Sequence, residues 1–193
     1  MNNFAKGSIE FLTVSVEFCK FIENIQSDKA DFLNKLSKLL PLIYLKAAMV
    51  ETKSAIYDEA PEKYVDENYY EAVRGDIQNL LGNKDQYLTA IHPDIALSDS
   101  VIAASISEDI ADVYQSLKDF VEVAKTGNED LMNDALIICI DDFRAFWGTR
   151  LLSAELAIHQ VIINGFNDEE EPEINTNPLL LSASLNSQLV TSN

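Results

Sequence analysis

The residues with the clearest potential for chemistry lie in one short stretch, Asp141 to Arg150. Two of the chain's three arginines, Arg144 and Arg150, stand three residues before and three residues after its single tryptophan, Trp147. On a helix this spacing lets both guanidinium groups reach the indole ring or one shared anion. His159 follows on the same predicted helix. The pattern indicates a candidate ligand site for a phosphate or carboxylate, formed by Arg144, Trp147, Arg150 and His159.

A simpler interpretation of the same stretch is more common in proteins. Trp147 then belongs to the core, and the two arginines pair with some of the many carboxylates on the surface. The sequence alone leaves both interpretations open, and the simpler one is favoured.

The acidic residues of the next candidate site, Glu108, Asp109 and Asp112, resemble ligands for Mg²⁺. All-helical enzymes that bind Mg²⁺ need carboxylates from two helices that converge on one metal ion. The one close Glu-x-x-Glu pattern, Glu59 to Glu62, contains Pro61 and lies in a predicted loop. Four acids of the 106–125 helix also fall opposite its apolar stripe, where a solvated face is expected, namely Glu108, Asp112, Asp119 and Glu122. No metal site is predicted.

Acid–base and nucleotide chemistry have little support in the sequence. Glu155 lies one helical turn before His159, but no serine or cysteine nucleophile with suitable spacing accompanies the pair. His92 precedes a proline in a predicted loop. The six glycines form no phosphate-binding loop. We therefore predict no catalytic residues and no cofactor, and whether the protein is an enzyme stays open.

Composition limits the choice of partner and compartment. A formal charge of −18 repels nucleic acid and anionic membranes, so neither is an expected partner. The longest apolar run, 135–140, is far shorter than a membrane span, and the first residues lack the pattern of a signal peptide. Cys19 and Cys139 both fall within apolar helical patterns, which is typical of buried, reduced thiols. A cytoplasmic location is expected.

Apolar residues at helical spacing predict an all-α bundle of about five to seven helices over residues 1–166. The run 135–140, apolar on every side, predicts a central helix. Pro41 is expected to kink or divide the second helix. The third is expected to begin at Asp66 or Glu67 and to end at Gly82. A short helix is expected over 83–91, a loop over 96–100, and no sheet.

Two serines and an asparagine predict further helix starts, and the composition changes after residue 166. Ser8 is expected to cap the first helix, Ser105 the helix that contains Glu108, and Asn128 the next one. Residues 167–193 begin with five acids in seven residues and continue with Ser, Asn, Thr and Leu. They are predicted to form an acidic and polar C-terminal tail, with Leu179–Leu181 as its one apolar anchor.

Three stretches of the chain together resemble a known family. They are LLPLIYLKA at 39–47, ISEDIADVYQSLKDF at 106–120 and FWGTRL at 146–151. They are similar to an uncharacterised bacterial family, domain of unknown function family 5063, with members in Bacteroides-type bacteria. The resemblance covers roughly residues 8–163. It implies an all-helical cytoplasmic protein, and it brings no activity, ligand or catalytic residue.

Two hypotheses of function follow from the sequence. The first is a non-catalytic interaction module that binds a partner protein through an apolar groove or through its tail. The second is a site for a small anion, or a hydrolytic site, around Arg144, Trp147, Arg150 and His159. The lack of a complete catalytic constellation favours the first. A mimic of DNA, based on charge alone, has less support than either. Ligand, partner and oligomeric state are not determined by the sequence.

Overall fold

The computed structural model describes residues 6–26, 28–90 and 101–166. Six α-helices account for most of the described chain: α1 (Lys6–Glu23), α2 (Lys29–Ala48), α3 (Glu67–Leu81), α4 (Ile106–Lys125), α5 (Glu129–Asp142) and α6 (Gly148–Asn164). A 3₁₀ turn, Gly82–Lys84, follows α3, and a π-helical turn, Phe143–Trp147, joins α5 to α6. The predicted all-α bundle of five to seven helices is confirmed.

Local capping chemistry fixes several of the helix starts. The Asp66 carboxylate accepts the backbone N–H of Tyr69 at the start of α3, and Gly82 ends that helix with φ +59°. Ser105 caps α4 by accepting the N–H of Glu108, as the sequence predicts. Asn128 caps α5. Ser8 is different: it is buried inside α1 and does not cap it.

The central helix is α4, which packs against α1, α3, α5 and α6. Its apolar side chains, among them Ile110, Val113 and Leu117, are fully buried. The prediction that the 135–140 run forms the central helix is wrong. Helix α5 lies at the side of the bundle, and its Ile138 is 40% exposed.

The structure decides one alternative about chain breaks and corrects one prediction. Helix α2 continues through Pro41 as one helix, so of the two predicted effects of this proline, a kink or a division, the division is excluded. The predicted short helix over 83–91 is wrong, since strand β1 (Gln86–Thr89) pairs antiparallel with strand β2 (Ile102–Ser105). These strands are four residues long, too short for a recognisable alternation. The predicted loop 96–100 and the predicted tail 167–193 lie outside the described residues.

The short hairpin is attached to the start of α4 by Asp85, which is buried. Its carboxylate accepts the backbone N–H of Ser107 at 2.7 Å and the Ser107 hydroxyl at 2.8 Å. Its backbone carbonyl accepts the N–H of Ile106. These bonds satisfy donors that the first turn of a helix leaves free, and they fix the hairpin beside α4.

The helices differ from membrane spans in their charge. Helices α2 and α4 have 20 residues each, and both carry several charged side chains. Among the helices of the described residues, none is both long and apolar enough to cross a bilayer.

Candidate functional site

The four residues of the predicted ligand site do not share one surface. Trp147 is fully buried, and its indole N–H donates to the backbone carbonyl of Cys139 at 2.9 Å. Arg144 points outward, with 56% of its side chain exposed, and pairs with Asp141 one turn earlier at 2.9 Å. His159 is exposed, three turns further along α6 than Trp147. The simpler interpretation of the tryptophan, as a core residue, is confirmed.

Arg150 lies in a separate, mostly buried cluster between α4 and α6. Its guanidinium group contacts the carboxylate of Asp109 at 3.4 Å and that of Asp112 at 3.3 Å. Two tyrosine hydroxyls donate to the same acids, Tyr87 of β1 to Asp109 and Tyr70 of α3 to Asp112 at 2.9 Å. One cation and two hydroxyls thus hold two buried carboxylates, and the cluster joins α3, α4, α6 and the hairpin.

Burial dominates the electrostatics of this cluster. Asp109 is 1% exposed, and burial raises its pKa to about 6, against the opposing effects of the Tyr87 hydrogen bond and the Arg150 charge. Burial likewise raises the pKa of Asp112. An acid with a pKa near neutrality is a common feature of catalytic sites, but it also occurs in structural ion pairs. Here each carboxylate already has its partners, which favours a structural role.

The predicted solvated stripe of α4 is solvated only in part, since Glu108 is exposed whereas Asp112, Asp119 and Glu122 are partly exposed. Asp109, which lies beside this stripe, is buried. Glu122 and Glu23 of α1 both pair with the buried Lys118, at 2.7 and 2.5 Å. Within residues 6–26, 28–90 and 101–166, no group of three or more His, Cys, Asp or Glu side chains has an arrangement that could hold a metal ion.

Glu155 is an unusual carboxylate on α6. Its Oε2 atom is buried and is the only such side-chain atom in the described parts of the chain without a hydrogen-bond partner. Burial raises the pKa of Glu155.

The π-helical turn depends on a glycine and brings an aromatic ring to the surface. A Cβ atom at Gly148 would lie 2.4 Å from the backbone oxygen of Phe143 and 2.9 Å from its ring, so only glycine fits without a shift. The turn buries the rings of Phe143 and Trp147 against each other, with centroids 4.8 Å apart. It leaves Phe146 43% exposed. Single π-helical turns inside helices are frequent at functional sites.

Phe146 borders an apolar cleft between α4 and α5, with a volume of about 180 Å³. Helix α4 contributes Phe120 and Val123 to this cleft, and α5 contributes Ala135, Ile138 and Cys139. Acidic side chains stand at its border, namely Glu62, Asp119 and Asp142, together with Lys63. We call the space that these residues border the cleft.

One wall of the cleft belongs to the connection between α2 and α3, residues 49–66, which we call the strap. Asp134 of α5 accepts the backbone N–H groups of Ile56 and Tyr57, at 2.7 to 3.1 Å. Asp119 of α4 accepts those of Tyr64 and Val65, both at 2.8 Å. The sequence predicts a loop around Pro61, and that is confirmed. Nothing in the sequence indicates that two helix carboxylates hold it across α4 and α5.

Comparison with known proteins places the chain in a family. The family model described as "Domain of unknown function (DUF5063)" matches residues 2–164. The chain belongs to this family. Among solved structures, the crystal structure of protein BF1032 from Bacteroides fragilis, a structural genomics target, is 37% identical to the chain. That similarity covers 88% of this chain and 97% of the other, with a TM-score of 0.73. A search of curated proteins found no match.

The family membership confirms the resemblance that the sequence indicates, and the matched range contains the cleft, the strap and the Arg150 cluster. Neither the description of the family nor the name of the solved protein states an activity, ligand or partner.

Proposed function

We propose that the protein is a non-catalytic interaction module whose cleft receives one large apolar side chain from a partner protein. The observation that carries this proposal is the apolar cleft between α4 and α5, bordered by the exposed side chains of Phe146 and Ile138. Exposed large apolar side chains that border a concave surface are typical of protein interaction sites.

The size of the cleft supports a side chain rather than a metabolite as its occupant. Pockets for cofactors and drug-sized ligands are usually about 300–1,000 Å³. The cleft, at about 180 Å³, is closer to a cavity that holds one benzene ring. One leucine, phenylalanine or methionine of a partner fits this volume, and the rest of the partner segment lies on the surface around it.

The charge at the border supports a basic partner segment. Three carboxylates, those of Glu62, Asp119 and Asp142, surround the cleft against one amine, that of Lys63. The whole chain carries a formal charge of −18, which attracts a basic partner over the distance of a Debye length. The expected partner segment therefore has a large apolar residue with lysine or arginine beside it.

Selection from a random peptide display library, with the intact protein as bait, tests the proposal. The selected peptides should share one large apolar residue next to basic residues. Ile138→Lys places a charge at the cleft and should weaken their binding by about tenfold or more, which corresponds to about 1.4 kcal/mol. Ile163→Lys, at an exposed apolar position of α6 away from the cleft, is the matched control and should leave their binding unchanged. Failure to select any common sequence, or equal effects of the two variants, would contradict the proposal.

The alternative, an anion site around Arg144, Trp147, Arg150 and His159, stays a prediction with less support. Arg150 is already neutralised by two carboxylates, and Trp147 offers no exposed surface. Addition of inorganic phosphate to the protein tests it, because a bound anion raises the melting temperature. We expect no shift. We also propose a cytoplasmic location, with no nucleic acid or membrane as partner, on the basis of charge and the two buried cysteine thiols.

A further inference from the structure

Helix α2 and its C-terminal cap carry an exposed apolar stripe on the side opposite the core. Leu42, Leu45 and Met49 are 40%, 53% and 61% exposed, and their spacing of three and four residues places them on one face. Large apolar side chains grouped in this way on a surface usually mark a binding site. This stripe is separate from the cleft, which α2 does not border.

The same face of α2 is basic, in a chain that is otherwise strongly acidic. The helix has four lysines and one acid, whereas the whole chain has 14 basic and 32 acidic residues. Lys35 and Lys38 are exposed and lie two turns and one turn before Leu42, on the same side of the helix. Lys35 also pairs with Asp31 at 2.6 Å. We call Lys35, Lys38, Leu42, Leu45 and Met49 together the outer face of α2.

One segment of the chain has the complementary pattern in the same order. Residues 168–173 contain five acids, and Leu179–Leu181 follow them. We propose that residues 167–193, which lie outside the described structure, bind to the outer face of α2. The acids face Lys35 and Lys38, and the three leucines cover Leu42, Leu45 and Met49.

The path of α6 supports this arrangement. The ring of Phe143, just before α6, contacts Tyr44 near the end of α2, with centroids 5.1 Å apart. Helix α6 then packs along α2, which ends at Ala48, so α6 must run towards the N-terminal half of α2. A chain that leaves α6 there meets the two lysines before it meets the apolar stripe.

The length of the segment also fits. The seven-residue step from Lys38 to Leu45 on the helix is a rise of about 10 Å. The six-residue step from Glu173 to Leu179 can extend over about 20 Å, which is ample. Because the segment is tethered to the same chain, its effective concentration reaches the millimolar range, so modest contacts are enough. The cleft is a poor alternative for this segment, since its border is acidic.

Paramagnetic relaxation measured by NMR on the full chain tests the proposal. Ser182→Cys introduces a site for a spin label, while Cys19 and Cys139 are buried and should not react. We expect the label to broaden the signals of Leu42, Leu45 and Met49 by at least half, and high salt to reduce the broadening. Lys35→Glu with Lys38→Glu should abolish it. Lys6→Glu with Lys20→Glu, two exposed lysines of α1, is the control of equal charge and should preserve it.

Three outcomes would overturn the proposal. The first is the absence of broadening on α2 in the labelled chain. The second is broadening of residues at the cleft, such as Ile138, in place of α2. The third comes from a mixture of labelled chains with isotope-enriched unlabelled chains: strong broadening there assigns the contact to a second copy. A melt of each variant at the same salt concentration separates loss of binding from loss of folding.

Discussion

Gly148 offers the sharpest test of the π-helical turn that connects α5 to α6. Its φ of −62° is ordinary for a helix, so any residue could adopt its backbone conformation. What excludes other residues is space, because the missing Cβ position lies 2.4 Å from the Phe143 carbonyl oxygen. That atom belongs to the backbone and cannot rotate away, so Gly148→Ala must move the turn itself.

The magnitude follows from two opposing effects. Overpacking of a core position costs about 1–3 kcal/mol, and a clash with backbone belongs at the upper end. Alanine in place of glycine inside a helix raises the free energy of unfolding by about 1 kcal/mol. Gly148→Ala should therefore lower the free energy of unfolding by about 2 kcal/mol. Gly75, inside α3, has nothing within 4 Å of its missing Cβ, so Gly75→Ala should raise it by up to about 1 kcal/mol.

Thermal and urea unfolding of the two variants provide the assay. For a chain of this size, a change of about 1 kcal/mol corresponds to about 2–4 °C, so the two melting temperatures should differ by about 6–12 °C. Trp147 is the single tryptophan and is buried in the turn, so its fluorescence should shift to the red in Gly148→Ala alone. If Gly148→Ala is as stable as the native protein, the steric argument for the turn is refuted.

Three further predictions concern buried charges and thiols. Arg150→Gln should lower the free energy of unfolding by about 3 kcal/mol, because it leaves two buried carboxylates without their cation. Arg144→Gln, at an exposed pair, should lower it by at most about 1 kcal/mol, and equal losses of the two variants in urea unfolding would contradict this. The pKa of Asp109 is raised to about 6 in the folded protein, so its contribution to stability is complete below pH 3.8 and is lost as the pH rises through 6. The free energy of unfolding, measured from about pH 4 to about pH 7, should therefore fall less in Asp109→Asn than in the native protein. Parallel curves for the two proteins would refute the assignment. Burial raises the pKa of the Cys19 thiol to about 12 and that of Cys139 well above its usual value, so both should react with a thiol reagent only after unfolding; rapid labelling of either native thiol would show that it is not in the core.

Helix ends were predictable from the sequence where a local contact determines them. Asp66, Ser105 and Asn128 each accept a backbone N–H two or three residues later, and Gly82 adopts a positive φ that favours glycine. Each of these helix caps depends on residues within one turn, so the sequence pattern contains all of the information that determines it. The strand pair is different, because Gln86 pairs with Ser105 and nothing near either residue indicates the other.

The position of the helices in the bundle was less predictable. Helix α5 has the most continuous apolar run, which favours a central position, yet α4 is central although it carries five acids, as many as α5. The acids are compatible with burial because each finds a partner: Arg150 and two tyrosine hydroxyls for Asp109 and Asp112, and Lys118 for Glu122. The apolar pattern of a helix shows which of its side chains are best kept from water. It does not show which polar groups of other elements will pair with its acids.

The strap explains why the cleft could not be found from the sequence. Nothing in the sequence around Asp119 and Asp134 distinguishes them from surface acids. The hydrogen bonds that they accept come from backbone N–H groups, which every residue type except proline provides. A carboxylate that holds a distant loop therefore leaves the same sequence pattern as one that faces water. Since the strap forms one wall of the cleft, the shape of the proposed binding site depends on these two carboxylates as well as on the apolar residues that line it.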